Sequence, residues 1–142
     1  MDWFVVRFIK AALVWLGLGV TLGVAMAVHP LWIIYRPAHV HMNLLGFVTM
    51  MIYGVAYHVI PRFTGFPLYS RRAPVAQLWL SNIGLFLMVA GFAVRANGIL
   101  TGTPVLATGG VFAAIGAYTF VLVIWRTIGG PAKVPRSLPV KQ

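Results

Sequence analysis

Residues 38–60 read AHVHMNLLGFVTMMIYGVAYHVI and contain no Asp, Glu, Lys or Arg. A helix rises about 1.5 Å per residue, so about 20 apolar residues suffice to cross the hydrocarbon core of a bilayer. A run of this length without charge is typical of a membrane span and not of a soluble helix. We therefore predict that residues 38–60 form a transmembrane helix.

Three further apolar runs accompany this one, and they cover residues 8–28, 75–94 and 105–125. Prolines mark the breaks: Pro37 is well placed to open the second helix, and Pro61 is expected to close it. We predict an all-α, integral membrane four-helix domain over residues 1–128. A basic cytoplasmic tail is predicted to follow over residues 129–142.

The four predicted helices are apolar, with small residues at intervals that favour close packing. Gly19-x-x-x-Gly23 lies on the first run, and Gly109-x-x-x-Ala113-x-x-x-Ala117 lies on the fourth. Such patterns let helix backbones approach each other in a bilayer. The short link over residues 95–104 predicts that the third and fourth helices form an antiparallel hairpin. The first run is expected to remain a spanning helix, because no signal-peptide cleavage site stands out after it.

The composition excludes several classes of protein. The 142 residues are 61% hydrophobic and only 8% charged, too few polar residues to cover a soluble fold of this size. No cysteine is present, which excludes disulfides, thiolate metal sites and covalently attached haem. The single acid, Asp2, excludes catalysis by paired carboxylates. Histidine, present four times, is the residue left for chemistry.

The charges predict an orientation in the bilayer. Eleven Lys and Arg residues give the chain a net charge of +10, but they lie between and beside the apolar runs, which argues against a nucleic-acid partner. Arg36 and Arg95 fall on one side of the predicted membrane, and the other nine cations fall on the opposite side. The positive-inside rule then predicts that both termini are cytoplasmic.

Two histidines open the second predicted helix. Successive residues turn by about 100° around a helix, so His39 and His41 point about 200° apart and cannot bind one metal from the same helix. Each would serve a different centre or a different neighbouring helix. Gly46, a little more than a turn beyond His41, would let a flat macrocycle lie close to the backbone. The alternative is an interfacial role, with both imidazoles hydrogen-bonded to water or lipid.

The second run resembles a helix of haem-copper oxidase subunit I, in the C-family oxidases and the related nitric oxide reductases. The similar elements are His39-Val-His41, Leu45-Gly46-Phe47-Val48, Gly54, Tyr57 and Ile60-Pro61-Arg62. In that family the helix carrying His-x-His supplies an axial ligand to each of two haems. The resemblance implies that His39 and His41 are iron ligands of haem b.

The sequence departs from the family in size and in its copper ligands. The oxidase subunit has about twelve helices in three arcs of four, and this chain is similar to one arc. The family's copper site needs three further histidines from two other helices, and the third and fourth runs here have none, so copper is possible but not supported. Three copies would rebuild the twelve-helix layout. The resemblance therefore favours a homotrimer with bis-histidine haems shared between protomers.

Four other polar residues are candidates for roles at a site or at the membrane interface. Arg36 and Arg95 lie at the level of the histidine pair and either hold haem propionates or are ordinary interfacial arginines. His29 is a reserve ligand. His58 either borders a quinone pocket or contacts lipid headgroups.

The functional hypothesis is an electron-transferring b-type cytochrome of the inner membrane, with a quinol or another respiratory redox partner. The alternatives are an oxygen or nitric oxide reductase or sensor with an open axial site, an accessory subunit of a larger oxidase, and a cofactor-free scaffold.

Overall fold

The computed structural model describes residues 2–130, and within that range every regular element is helical. Four helical spans are long and apolar enough to cross a membrane: Trp3–Val28, Pro30–Thr64, Ala73–Ala96 and Gly102–Ile128. We call them the first to fourth spans. The predicted all-α fold with four membrane-spanning helices is confirmed, and the chain is a multi-pass membrane protein. Beyond Gly130, the predicted basic tail lies outside the described residues.

The second span does not end where the sequence predicts. Pro61 lies inside the helix, which continues to Thr64. Proline removes one backbone hydrogen bond, but the Thr64 hydroxyl donates to the Ile60 carbonyl at 3.0 Å and helps to hold the last turn together. The helix stops at Gly65, whose φ of 72° is left-handed and whose N–H donates to the Pro61 carbonyl.

The second span is a composite of four helical segments. A 3-10 helix over Pro30–Tyr35 leads into an α-helix over Arg36–His41, which carries both histidines. A π-helix follows over Met42–Thr49, and an α-helix over Met50–Thr64 completes the span. Runs of π-helix are rare and occur frequently at functional sites. The histidine pair lies immediately before this one.

At one end of the bundle, the loop before the third span contacts the start of the first span and the end of the fourth. The Asp2 carboxylate lies 3.7 Å from the Arg71 guanidinium, and the Tyr69 N–H donates to the Thr127 hydroxyl at 3.1 Å. We call this the cation-rich end, because most of the described cations lie at it or close to it: Arg7, Lys10, Arg62, Arg71, Arg72 and Arg126.

The opposite end carries the histidine pair. Here the Asn97 side-chain amide donates to the Tyr35 hydroxyl at 3.2 Å, which joins the two connections at this level. We call it the histidine end, and Arg36 and Arg95 also lie there. For the eight cations among residues 2–130, the division between the two ends is the one that the sequence predicts. Which end faces the cytoplasm stays a prediction.

The third and fourth spans form a hairpin whose backbones touch at glycines. A Cβ on Gly84 would lie 2.6 Å from the Ala113 nitrogen, and one on Gly91 would lie 2.6 Å from the Leu106 nitrogen. From the other side, a Cβ on Gly109 would lie 2.6 Å from the Gly84 oxygen. These contacts involve backbone atoms, so a larger residue would force the two spans apart. The predicted hairpin is confirmed.

Aromatic rings pack the first, second and fourth spans together toward the cation-rich end. The rings of Phe8 and Tyr53 lie 5.9 Å apart, and those of Tyr53 and Phe120 lie 4.5 Å apart. The buried Tyr57 hydroxyl donates to the side-chain oxygen of Gln77 and so joins the third span to this core. Aromatic pairs at such separations stabilise a core beyond their area burial.

Candidate functional site

His39 is directed at the first span. Its Nδ1 lies 2.8 Å from the carbonyl oxygen of Gly19, and the ring is partly buried. A Cβ on Gly23 would lie 2.8 Å from the His39 Cε1. The glycine at position 23 therefore leaves the room that the imidazole occupies, and the carbonyl at position 19 fixes its rotation.

His41 is directed at the third span instead. Its ring centroid lies 4.8 Å from that of Phe92, at an interplanar angle of 44°. Its Nδ1 lies 2.8 Å from the carbonyl oxygen of Pro37, one turn earlier on the same helix. The two imidazoles thus contact different spans, in agreement with the opposite directions that the helical angle predicts.

The two hydrogen bonds define the tautomer of each ring. A carbonyl oxygen can only accept, so the Nδ1 atoms of His39 and His41 must carry the proton and donate it. The lone pair of each neutral ring is then on Nε2. Histidines that bind metals commonly hold the other nitrogen in this way, since a carbonyl partner orients the ring and raises its basicity. In both rings Nε2 is therefore the unprotonated nitrogen, the one that a metal could use.

Asn43 lies one turn after His39 and faces the same part of the first span. Its amide nitrogen donates to the His39 carbonyl at 2.9 Å and lies 3.4 Å from the His39 Nδ1. A Cβ on Gly19 would lie 2.7 Å from the same amide nitrogen. The small-residue pair Gly19 and Gly23 thus accommodates the two polar side chains of the second span, a role that the sequence signalled only as close packing.

Gly46 has a packing role in the single chain. It is buried, and a Cβ there would lie 2.5 Å from the Cβ of Trp15 and 2.9 Å from a methyl carbon of Leu85. The space beside this glycine is filled by the first and third spans. The structure therefore does not offer it to a macrocycle, and we base no cofactor contact on Gly46.

The two arginines at the histidine end are exposed. Arg36 is the first residue of the short α-helix that carries His39 and His41, and Arg95 lies in the last turn of the third span. The only acid of the chain, Asp2, lies at the cation-rich end beside Arg71. Both arginines are consequently available to an anionic group from outside the chain.

The other two histidines lie apart from the pair. His29 caps the first span and packs on Trp32, with ring centroids 5.4 Å apart. At the cation-rich end, Arg62 donates to the His58 Nδ1 at 2.9 Å. Because arginine only donates, His58 carries its proton on Nε2, the tautomer opposite to that of His39 and His41.

Within residues 2–130 no cluster of three or more His, Cys, Asp or Glu side chains could hold a metal ion. Haem makes a smaller demand on protein ligands, because the porphyrin supplies four nitrogens and the protein supplies only the axial positions. One imidazole on each side of the iron is enough. Each imidazole at the histidine end is a donor of the kind that haem needs, and the two are directed at different spans.

Comparison with known proteins agrees with the resemblance seen in the second span. The chain is 31% identical over 107 residues to the cbb3-type cytochrome c oxidase subunit CcoN1 of Stutzerimonas stutzeri. It is 33% identical over 57 residues to cytochrome c oxidase subunit 1 of Thermus thermophilus. These matches cover 69% and 39% of this chain. No protein-family model matches it.

The matches are partial on the side of the relatives as well. They span 22% of the Stutzerimonas protein and 53% of the Thermus sequence. The predicted resemblance to a fragment of haem-copper oxidase subunit I is confirmed, and the chain is related to respiratory membrane proteins.

Proposed function

We propose that the protein binds haem b through His39 and His41 and transfers electrons within the inner membrane. The observation that carries the proposal is the state of the two rings: each donates its Nδ1 proton to a backbone carbonyl, which leaves the Nε2 lone pair for iron. A histidine at the membrane interface that hydrogen-bonds to water does not require its imidazole to be held in one orientation. The oxidase relatives support a haem as the group that these rings bind.

The directions of the rings favour an oligomer. His39 contacts the first span and His41 contacts the third, so one chain cannot place both on the same iron. In a closed ring of identical subunits, His39 of one protomer faces His41 of the next. A trimer rebuilds the three arcs of the oxidase subunit and provides up to three bis-histidine sites.

Arg36 and Arg95 have a defined part in this arrangement. A haem brings two propionate carboxylates to a chain whose single acid lies at the opposite end. Arginine is well suited to carboxylates because its planar donors match both oxygens. These two residues would hold the propionates of a bound haem at the membrane surface.

A haem held by two imidazoles would supply one-electron transfer at this site. The chain's own residues orient the imidazoles, neutralise the propionates and keep the site within an apolar bundle. The electron donor of the proposal is a quinol or another respiratory partner. Both termini lie in the cytoplasm, as the distribution of cations predicts.

The optical spectrum of the protein in mild detergent tests the proposal. We expect the reduced protein to show the sharp bands of a six-coordinate b-type haem that carbon monoxide does not shift. A fast and complete shift with carbon monoxide would instead indicate a five-coordinate reductase or sensor. A colourless protein from cells supplied with haem would contradict the proposal.

A further inference from the structure

A groove of about 820 Å³ runs between the first and third spans at the cation-rich end. Its walls are largely apolar, with Ala11, Val14 and Leu78 along its length. Asn82 closes it on the inner side: the Trp15 indole N–H donates to the Asn82 side-chain oxygen at 3.0 Å, and the Asn82 amide donates to the Leu78 carbonyl at 2.8 Å. The polar group at the inner side is therefore already satisfied.

Two cations line the outer part of the groove. Arg7 and Lys10 are three residues apart on the first span, so they lie on the same face of the helix, where like charges repel each other. The Arg7 guanidinium lies 5.6 Å above the Trp3 ring. The chain's single carboxylate is 3.7 Å from Arg71. The chain has no second Asp or Glu side chain to neutralise these two cations.

The depth of these cations matches lipid headgroups. Trp3 and Trp79, which also line the groove, are 54% and 59% exposed, as is typical of tryptophans at a membrane interface. Lys10 lies about 10 Å along the helix axis from Trp3, at about 1.5 Å per residue. A lysine at that depth extends its ammonium toward the surface.

We infer that this groove binds one anionic phospholipid, with its phosphate between Arg7 and Lys10 and an acyl chain along the apolar wall. Basic pockets between spans are the usual sites for anionic headgroups. A second copy of this chain suits the groove poorly, because its one Asp or Glu side chain cannot pair with both groove cations. The inference is independent of the haem proposed at the opposite end.

Native mass spectrometry of the full chain, titrated with palmitoyl-oleoyl phosphatidylglycerol or phosphatidylcholine, tests the assignment. The variant Arg7→Gln/Lys10→Gln removes the groove cations. The matched control Arg72→Gln/Arg126→Gln removes two exposed cations from the same end but outside the groove lining. We expect phosphatidylglycerol to bind about 30-fold more weakly to the groove variant, at about tenfold per 1.4 kcal/mol and 1 kcal/mol per cation. The affinity of the control variant for phosphatidylglycerol should change less than threefold.

Three results would overturn the assignment. One is an equal loss in both double variants, which would indicate a response to net charge alone. Another is phosphatidylcholine binding as tightly as phosphatidylglycerol. The third is that the groove variant changes oligomeric state and not lipid binding. If the double variant does not fold, Lys10→Gln is compared with Arg72→Gln. Phosphatidylglycerol should then bind about fivefold more weakly to Lys10→Gln, with no such loss in Arg72→Gln.

Discussion

Gly23→Ala tests whether His39 is held against the first span as the structure has it. The added Cβ would lie 2.8 Å from the His39 Cε1, whereas carbon atoms in ordinary contact are about 3.6 Å apart. The ring or the helix must therefore move by about 0.8 Å. The ring cannot swing away freely, because its Nδ1 donates to the Gly19 carbonyl at 2.8 Å.

The matched control is Gly17→Ala, on the same helix, where a Cβ meets nothing within 4 Å. Both substitutions gain the same helix propensity of about 1 kcal/mol, so this contribution cancels in their difference. Overpacking costs about 1–3 kcal/mol. We expect the free energy of unfolding of Gly23→Ala to fall below that of Gly17→Ala by this amount.

The assay is unfolding of detergent-solubilised protein by increasing mole fraction of sodium dodecyl sulfate, followed by circular dichroism. Haem retention on the same samples is a second readout, because an axial nitrogen that moves by about 0.8 Å is far outside the ±0.2 Å tolerance of a metal–ligand distance. Unfolding free energies within about 0.5 kcal/mol of each other, a difference too small for one overpacked methyl group, would refute the described position of His39.

Two other predictions concern the core and the orientation. Tyr57→Phe removes the buried donor to Gln77, whose amide nitrogen is already without a partner among the described residues, and should cost about 1–3 kcal/mol of unfolding free energy. Tyr118→Phe, at a residue 75% exposed, should cost almost nothing in the same titration, and equal losses would contradict this view of the core. The chain has no cysteine, so Phe63→Cys and Leu100→Cys, at residues 86% and 87% exposed on opposite ends, each introduce a single thiol. A membrane-impermeant maleimide added to intact cells should label Leu100→Cys alone, and labelling of Phe63→Cys alone would reverse the predicted orientation.

The number of spans could be predicted from the sequence because it depends on apolar length, a local property. The positions of the helix ends were predicted less accurately. Proline at position 61 ordinarily ends a helix, but here the helix continues to Thr64 and ends at the left-handed Gly65. The π-helix over Met42–Thr49 carries no sequence signature that distinguishes it from α-helix. Its register depends on packing against the other spans.

The candidate site could also be predicted only in part. The opposite directions of His39 and His41 follow from helical geometry alone. Their hydrogen-bond partners do not, because the contact with the Gly19 carbonyl depends on how far the first and second spans slide past each other. The interpretation of Gly46 as space for a macrocycle failed for a similar reason, since only the assembled bundle reveals that Trp15 fills that space.

Co-expression of His39→Ala with His41→Ala tests most directly whether each haem is shared between two protomers. Either variant alone should lose haem or become high-spin, because every site then lacks one axial imidazole. In mixed oligomers, a protomer that keeps His39 can face one that keeps His41, so about a quarter of the sites in a randomly mixed closed ring regain both ligands. We predict that the six-coordinate spectrum returns to about that fraction, as expected for ligands on neighbouring subunits of a ring. Mixed oligomers with no six-coordinate haem, or single variants with an unchanged spectrum, would contradict the shared site.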